Sequence, residues 1–461
     1  MLALLRQHRL LWAAAALFWG YLYLLLWSDL FVSPAAPDSS QPAALDPWAS
    51  STLFNTIGLA ACLILSRRRR QLLADRRFLA ICALLMAAAA ALMLPSPIGQ
   101  GATSFALFFL GASLAGIGSA GAAATFATLL QSRPPVFTAI LTAGGALGGL
   151  LLYGIVGYLV VPWAARVVVC IAPAILAAVL IRITDGGETN TSVATEATAC
   201  VSGTALPLMG FLFAIGLSLG IIRATSFSAL PLSAVHATFA LSTLATNILL
   251  LAIILKSGVR YARAITVGGA MALTASFMAI IVVPGAPLLS VTFHFVGFAI
   301  TTVFAWYFSR QSACCRQAPA PFIAGLLAYQ GGQAISCIIG NVIIPALHES
   351  NAITFMAVGM IYLTLILTLV FFFRAEGSQA FAVQRTDKSE TIPDALRGTW
   401  ATLTPREQEI ARLLARGYDR KLIASTFTIS QETVKTHTKH IYQKLDIHSR
   451  RELVALLDSD S

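Results

Sequence analysis

Lys435, Thr436, Lys439 and Gln443 stand at i, i+1, i+4 and i+8, which places them on one face of a helix. Such a face fits the major groove of duplex DNA: lysines reach phosphate or guanine, and Thr436 reaches a thymine methyl or a base edge. The opposite face carries Val434, Thr438, Ile441 and Leu445 at helical spacing, so it belongs against other helices. Ser430 is placed to cap this helix, which is predicted to run from Gln431 to about Leu445.

The surrounding residues predict the elements that hold that face in place. Thr404 is an N-cap, Pro405 suits the first helical position, and Glu407 at the third completes a capping box. The helix they open turns Ile410, Leu413 and Leu414 to one side and ends at Gly417, a natural left-handed C-cap. Asp419 can cap a second short helix with Leu422, Ile423 and Ala424 inward, followed by a turn through Phe427 and Ile429. Ser449 and Glu452 form a second capping box opening a fourth helix with Leu453, Val454, Leu456 and Leu457. That apolar side exceeds what one small domain needs, so a second copy is expected to cover it.

Together these residues resemble the LuxR-type helix-turn-helix family. The resemblance is carried by Leu403-Thr404-Pro405-Arg406-Glu407, Gly417, Ile423-Ala424, Ile429-Ser430, Thr433-Val434-Lys435-Thr436-His437, Lys444-Leu445 and Ser449-Arg450. It implies binding to double-stranded DNA as a homodimer, with the helix from Gln431 as the reader. Lys435, Thr436 and Lys439 are then the groove contacts, and Ser430, Gln431 and Thr433 lie near phosphates. Dimeric readers need half-sites about one helical turn apart, so the operator is expected to be an inverted repeat, with RNA polymerase a further partner. Asp419-Arg420 departs from the family's Ser or Thr followed by Asn, but capping survives. From Trp400 onward there are 10 Lys+Arg against 8 Asp+Glu, so basicity is focused on the reading helix rather than spread over the domain.

The rest of the chain is built for a different solvent. The sequence is 57% hydrophobic and 11% charged, with a mean hydropathy of +0.78, which excludes an ordinary soluble domain for most of it. Twelve apolar spans are predicted, at roughly 8–32, 49–66, 78–95, 102–130, 136–158, 160–182, 205–223, 237–255, 264–284, 288–309, 321–345 and 352–373. The first is too long for the apolar region of a signal peptide. With a cytoplasmic N-terminus, inside segments hold 16 lysines and arginines, whereas the outside half holds only Arg166 and Arg223. An even number of crossings returns the C-terminus to the cytoplasm, where DNA lies. The expected location is the plasma (inner) membrane, with the lipid bilayer as a partner.

Thr184 to Thr204 divides the spans six and six, an arrangement similar to the major facilitator fold. Two motif-like stretches depart from that family: Gly144-Gly145-Ala146-Leu147-Gly148-Gly149 lacks the exporter motif's proline, and the loop Arg67 to Arg77 lacks its glycine and aspartate spacing. The fold class is therefore all-α, a polytopic bundle followed by a four-helix DNA-binding domain. The expected domains are a membrane sensor over 1–374, a flexible linker over 375–399 and the DNA-binding domain over 400–461. Gly111 and Ala115, Gly144 and Gly148, and Gly145 and Gly149 are expected to let helix backbones approach one another in lipid.

Polar groups within the spans are the candidate sensing residues. Asp29 and Arg223 sit at the outer ends of spans one and seven and are candidates for a pair that a ligand breaks or bridges. His294, Asn247, Gln330 and Gln333 read first as hydrogen-bond partners between helices. Trp19, Tyr23 and Trp27 repeat every four residues; an interfacial aromatic belt explains Trp27, while Trp19 and Tyr23 lie deep enough to line a cavity. The signal is expected to be a small-molecule ligand or a contact between protomers. Cys62, Cys82, Cys170, Cys200, Cys314, Cys315 and Cys337 show no metal-ligand spacing, and neither a metal nor a cofactor is expected. No paired carboxylates, phosphate-binding glycine loop or nucleophile with a neighbouring base point to an enzyme. Two readings remain: a membrane-embedded one-component regulator, or a major-facilitator transporter with an attached DNA-binding regulatory domain.

Overall fold

The computed structural model describes residues 8–28, 30–31, 47–94, 102–131, 133–185, 205–227, 230–283, 285–313, 319–340, 352–385, 400, 402–415, 423–424, 430–449 and 452–453. Asp29, Cys200, Cys314-Cys315, Gly417, Asp419-Arg420, Phe427, Ile429 and the fourth helix beyond Leu453 lie outside them. The chain divides into two compact units, Met1–Arg374 and Ala375–Ser461.

Among the described residues the first unit contains twelve long helices: α1 (Arg9–Leu26), α2 (Pro47–Arg68), α3 (Arg76–Met93), α4 (Ala102–Leu129), α5 (Pro135–Gly154), α6 (Pro162–Asp185), α7 (Ala205–Ser226), α8 (Leu232–Ser257), α9 (Ala262–Val282), α10 (Pro287–Ala313), α11 (Pro319–Ile338) and α12 (Ala352–Arg385). Eleven helices in the described residues are long and apolar enough to cross a membrane. Helix α11 is not among them. Its 20 residues include Gln330, Gly331, Gly332, Gln333 and Ser336, and the Asn341-Val-Ile-Ile stretch that lent the predicted span its apolar end lies outside the described residues.

The packing repeats after six helices. Helix α1 lies along α5 as α7 lies along α11, α3 along α4 as α9 along α10, and α2 along α4 as α8 along α10. Across the halves, α2 meets α11 and α5 meets α8, again related by the same shift. Small residues make these approaches possible where dispersion drives association. A Cβ on Gly145 would stand 2.7 Å from the Ala15 Cβ, and one on Gly149 2.7 Å from the Gly20 nitrogen, so α1 and α5 touch backbone to backbone. The equivalent pair does the same: a Cβ on Gly216 or Gly332 would overlap the carbonyl oxygen of Tyr329 or Phe213.

A buried arginine ties the halves at one end. Arg310, near the C-terminus of α10, donates from Nε to Leu130 O (2.7 Å) and from Nη2 to Gln131 O (2.6 Å) and Arg133 O (2.7 Å). These carbonyls belong to the end of α4 and the turn into α5, where helix geometry leaves acceptors unmade. On sequence Arg310 counts only as one more inside charge.

Helix α12 corrects the expected linker, because it continues past Arg374 to Arg385. Ala380-Phe381-Ala382-Val383 contains no helix breaker, and Gly377 alone does not stop the helix.

The second unit contains α13 (Pro405–Ala415) and α14 (Gln431–Lys444), packed on each other. Its core gathers Trp400, Leu403, Ile410, Leu414, Ile423, Val434, Ile441 and Leu453. The first capping box forms as its residues require: the Glu407 N–H donates to Thr404 Oγ1 (3.2 Å) and the Thr404 N–H to Glu407 Oε2 (2.8 Å). Helix α14 ends on Asp446 at φ 52°, with the Ile447 N–H returning to Tyr442 O at 3.0 Å. This is a Schellman closure with aspartate in the place glycine usually takes.

Candidate nucleic-acid interface and membrane cavity

Ser430 caps α14, its Oγ accepting the Thr433 N–H at 3.0 Å and lying 2.8 Å from Thr433 Oγ1. Val434, Thr438 and Ile441 are buried in the unit's core. Gln431, Thr433, Lys435, Thr436, Lys439 and Gln443 are all exposed. The Thr436 hydroxyl donates to Glu432 O at 3.0 Å, so its proton is already used within the helix. Lys435 Nζ lies 3.4 Å from Glu432 Oε2, an exposed pair in solvent.

The sequence did not reveal the exposure of His440 or the partner of Lys444. His440 is exposed one turn after Thr436, and the i+4 spacing was the available signal. Lys444 donates from Nζ to the buried Glu407 at 2.7 Å, joining the start of α13 to the end of α14. Burial by itself raises the Glu407 carboxyl, but the hydrogen bonds from Lys444 and Thr404 outweigh it and bring it down to about 2. The second capping box is partly redrawn. The Glu452 N–H reaches Ser449 Oγ (3.3 Å) as expected, but its carboxylate accepts from the Ser449 hydroxyl (2.7 Å) and the His448 N–H (2.8 Å). Those two bonds lower the Glu452 pKa.

In the membrane unit a cavity of about 100 Å³ opens between the halves. Trp19 and Tyr23 on α1, Asn55 on α2, Trp306 on α10, and Gln330 and Gln333 on α11 are among its walls. Four predicted sensing residues therefore share one space. Asn55 Nδ2 donates to Gly116 O (3.2 Å) and Ser119 Oγ (2.9 Å), which fixes the amide and leaves Oδ1 as an acceptor. Asn55 Oδ1 and Gln330 Oε1 are buried and have no hydrogen-bond partner among the described residues.

Arg223 and His294 do not line this space. The Arg223 guanidinium lies over Trp27 (4.6 Å), Trp48 (4.4 Å) and Phe227 (5.3 Å). His294 packs edge-on against Phe227 and Phe295, both at 5.1 Å. With Asp29 outside the described residues, the expected Asp29–Arg223 pair has no description here. Trp27 is corrected: it is 5% exposed, stacked on Phe239 at 4.8 Å and lines the cavity. Its neighbours come from the second half, which a helical repeat within span one does not reveal. Asn247 is also corrected, since its amide donates to Thr243 O at 2.9 Å within its own helix.

The two units thus define a class: a helix-turn-helix reader and a two-halved helical bundle with a cavity between the halves. Residues 401–457 match the family described as bacterial regulatory proteins, luxR family. A helix-turn-helix transcriptional regulator of Mycobacterium tuberculosis is 44% identical over 55 residues, covering 12% of this chain and 6% of that one. The nitrate/nitrite response regulator protein NarL of Escherichia coli is 46% identical over 50 residues, 11% of this chain and 23% of NarL. The response regulator protein VraR of Staphylococcus aureus is 36% identical over 87 residues, 16% of this chain and 42% of VraR. The chain therefore spans less than half the length of each of these relatives.

Among solved structures, a bacterial homologue of the iron transporter ferroportin, outward-facing with soaked iron, matches at a TM-score of 0.50 and 13% identity over 79% of this chain and 98% of that one. An auto-inhibited POT family peptide transporter matches at 0.50 and 12% identity over 80% and 96%. The C-terminal residues form a LuxR-type, DNA-binding regulator domain, and the membrane helices have a major-facilitator-like fold. The chain is a multi-pass membrane protein carrying a transcription-regulator domain.

Proposed function

We propose that the chain is a membrane-embedded one-component transcription regulator. A small molecule in the bundle shifts it between two states, and the helix-turn-helix domain reads an inverted-repeat operator as a homodimer. The observation that carries this reading is one chain holding both an exposed Lys435–Thr436–Lys439 face and a cavity between the halves of a membrane bundle. In this account residues 1–374 sense, 400–461 bind DNA from the cytoplasmic side of the plasma membrane, and residues 375–399 connect them. Lys435, Thr436, Lys439 and Gln443 enter the groove, and Ser430, Gln431 and Thr433 lie at phosphates. A ligand acts only through its difference in affinity between the two states, about 1.4 kcal/mol for each tenfold preference.

The lining favours sensing over proton-coupled transport. Among the described residues no Asp, Glu, Lys, Arg or His lines the cavity. Uptake into vesicles driven by an ion gradient would speak for the transporter reading. The direct test is promoter occupancy by the full-length chain with Lys435→Ala and Lys439→Ala. Each is expected to weaken binding about three- to tenfold, to flatten the salt dependence by about one phosphate contact, and to leave membrane insertion intact. Undiminished binding in both variants would refute the assigned reading face.

A further inference from the structure

The cavity's chemistry is more specific than its existence. Among the described residues, Asn55 Oδ1 and Gln330 Oε1 are buried acceptors with no donor. Leaving such groups unmade costs about 1–3 kcal/mol each, so whatever fills the space is selected to supply donors. Asn55 belongs to α2 and Gln330 to α11, one in each half of the bundle. The remaining walls mix aromatic rings, Trp19, Tyr23, Trp27 and Trp306 among them, with aliphatic and hydroxyl-bearing side chains.

Charge is disfavoured in both signs. The Arg223 guanidinium already lies over Trp27 and Trp48 at 4.6 and 4.4 Å, and both rings also wall the cavity. Among the described residues no Asp or Glu lines the cavity, so an entering cation would find no counter-charge in its walls. An anion would meet the lone pairs of Asn55 Oδ1 and Gln330 Oε1. At about 100 Å³, the space is somewhat smaller than an engineered cavity of about 150 Å³ that holds benzene.

We propose that the cavity takes a small uncharged molecule, no larger than a single ring, that carries two N–H or O–H donors. One donor bonds Asn55 Oδ1 on α2 and the other Gln330 Oε1 on α11. This rests on the sensing role proposed above and gives it a mechanism. A ligand bonded to both halves binds according to their separation, which is the differential affinity a two-state switch requires.

The test uses the full-length protein in nanodiscs and follows its thermal unfolding midpoint. Methylurea and ethylene glycol are compared with their fully N- or O-methylated analogues, and with acetate and methylammonium as charged counterparts. The donor-bearing probes are expected to raise the midpoint, and the methylated and charged ones to leave it unchanged. Gln330→Met, whose wild-type amide oxygen has no partner to lose among the described residues, is expected to weaken binding about three- to tenfold. Asn55→Leu is expected to do the same, with circular dichroism verifying its fold.

Stabilisation by the methylated or charged probes, or donor-probe affinity unchanged in Gln330→Met, would overturn the assignment. So would no stabilisation by any probe, which would leave the two acceptors serving water only. Operator binding, measured alongside, separates this proposal from the one it rests on. Donor probes that bind without altering operator occupancy would contradict sensing alone, while charged probes that alter occupancy would contradict the ligand chemistry alone.

Discussion

At the scale of single residues, Thr436 and Glu407 show how little of a side chain's role its type decides. The Thr436 hydroxyl donates its proton to Glu432 O, so in the proposed groove contact the methyl is the expected recognition group. Thr436→Val is expected to keep operator affinity within about twofold, whereas Thr436→Ser loses the methyl contact and discriminates poorly at that base pair. Anisotropy titrations with operators substituted one pair at a time check this. Glu407 was legible as half of a capping box from its three-residue spacing to Thr404. Its second partner, Lys444, lies 37 residues away and leaves no trace in local spacing. Because the folded Glu407 is depressed to about 2 from 4.5, its contribution is fully present above pH 4.5 and is lost as pH falls toward 2. Glu407→Gln is expected to destabilise the packing of α13 on α14 by about 1–3 kcal/mol at neutral pH. It should also remove the part of the acid sensitivity between pH 4.5 and 2. Amide hydrogen exchange over 407–445 in the full chain reads both effects.

Elements were predicted well where composition changes sharply and less well where three-dimensional neighbours decide. Apolar length located the helices because hydrocarbon leaves a backbone few alternatives. Polar interruptions made α11 the exception, and its amide-bearing stretch turned out to border the cavity. Helix α12 overran its expected end because polar residues mark the edge of lipid, not the end of a helix. Arg310 is the clearest illegible case at this scale. Topological counting treats it as a charge facing water, yet it is 4% exposed and donates to three carbonyls across the halves. Arg310→Gln should free the α4–α5 turn. Amide exchange over 130–137 is expected to accelerate at least tenfold, with little change within α1. Unchanged exchange there would mean that the halves are held elsewhere.

For the whole molecule, the six-plus-six division could be read from the interval between spans, but the matching of pairs could not. That α1 with α5 repeats as α7 with α11 depends on Gly145, Gly149, Gly216 and Gly332, whose partners lie on other helices. The cavity was half legible. Trp19, Tyr23, Gln330 and Gln333 were foreseen as polar or aromatic groups at membrane depth, while Asn55, Ser119 and Trp306 enter it only through folding. The central claim is that the state of this cavity governs what the reading helix does. Ala123, a small residue in its wall, permits a direct test: genome-wide DNA occupancy of the full-length chain, wild type against Ala123→Phe, at equal membrane levels. The account predicts the same sites with occupancy shifted at least tenfold, since the filled cavity holds the bundle in one state. Identical occupancy in the two chains would contradict it.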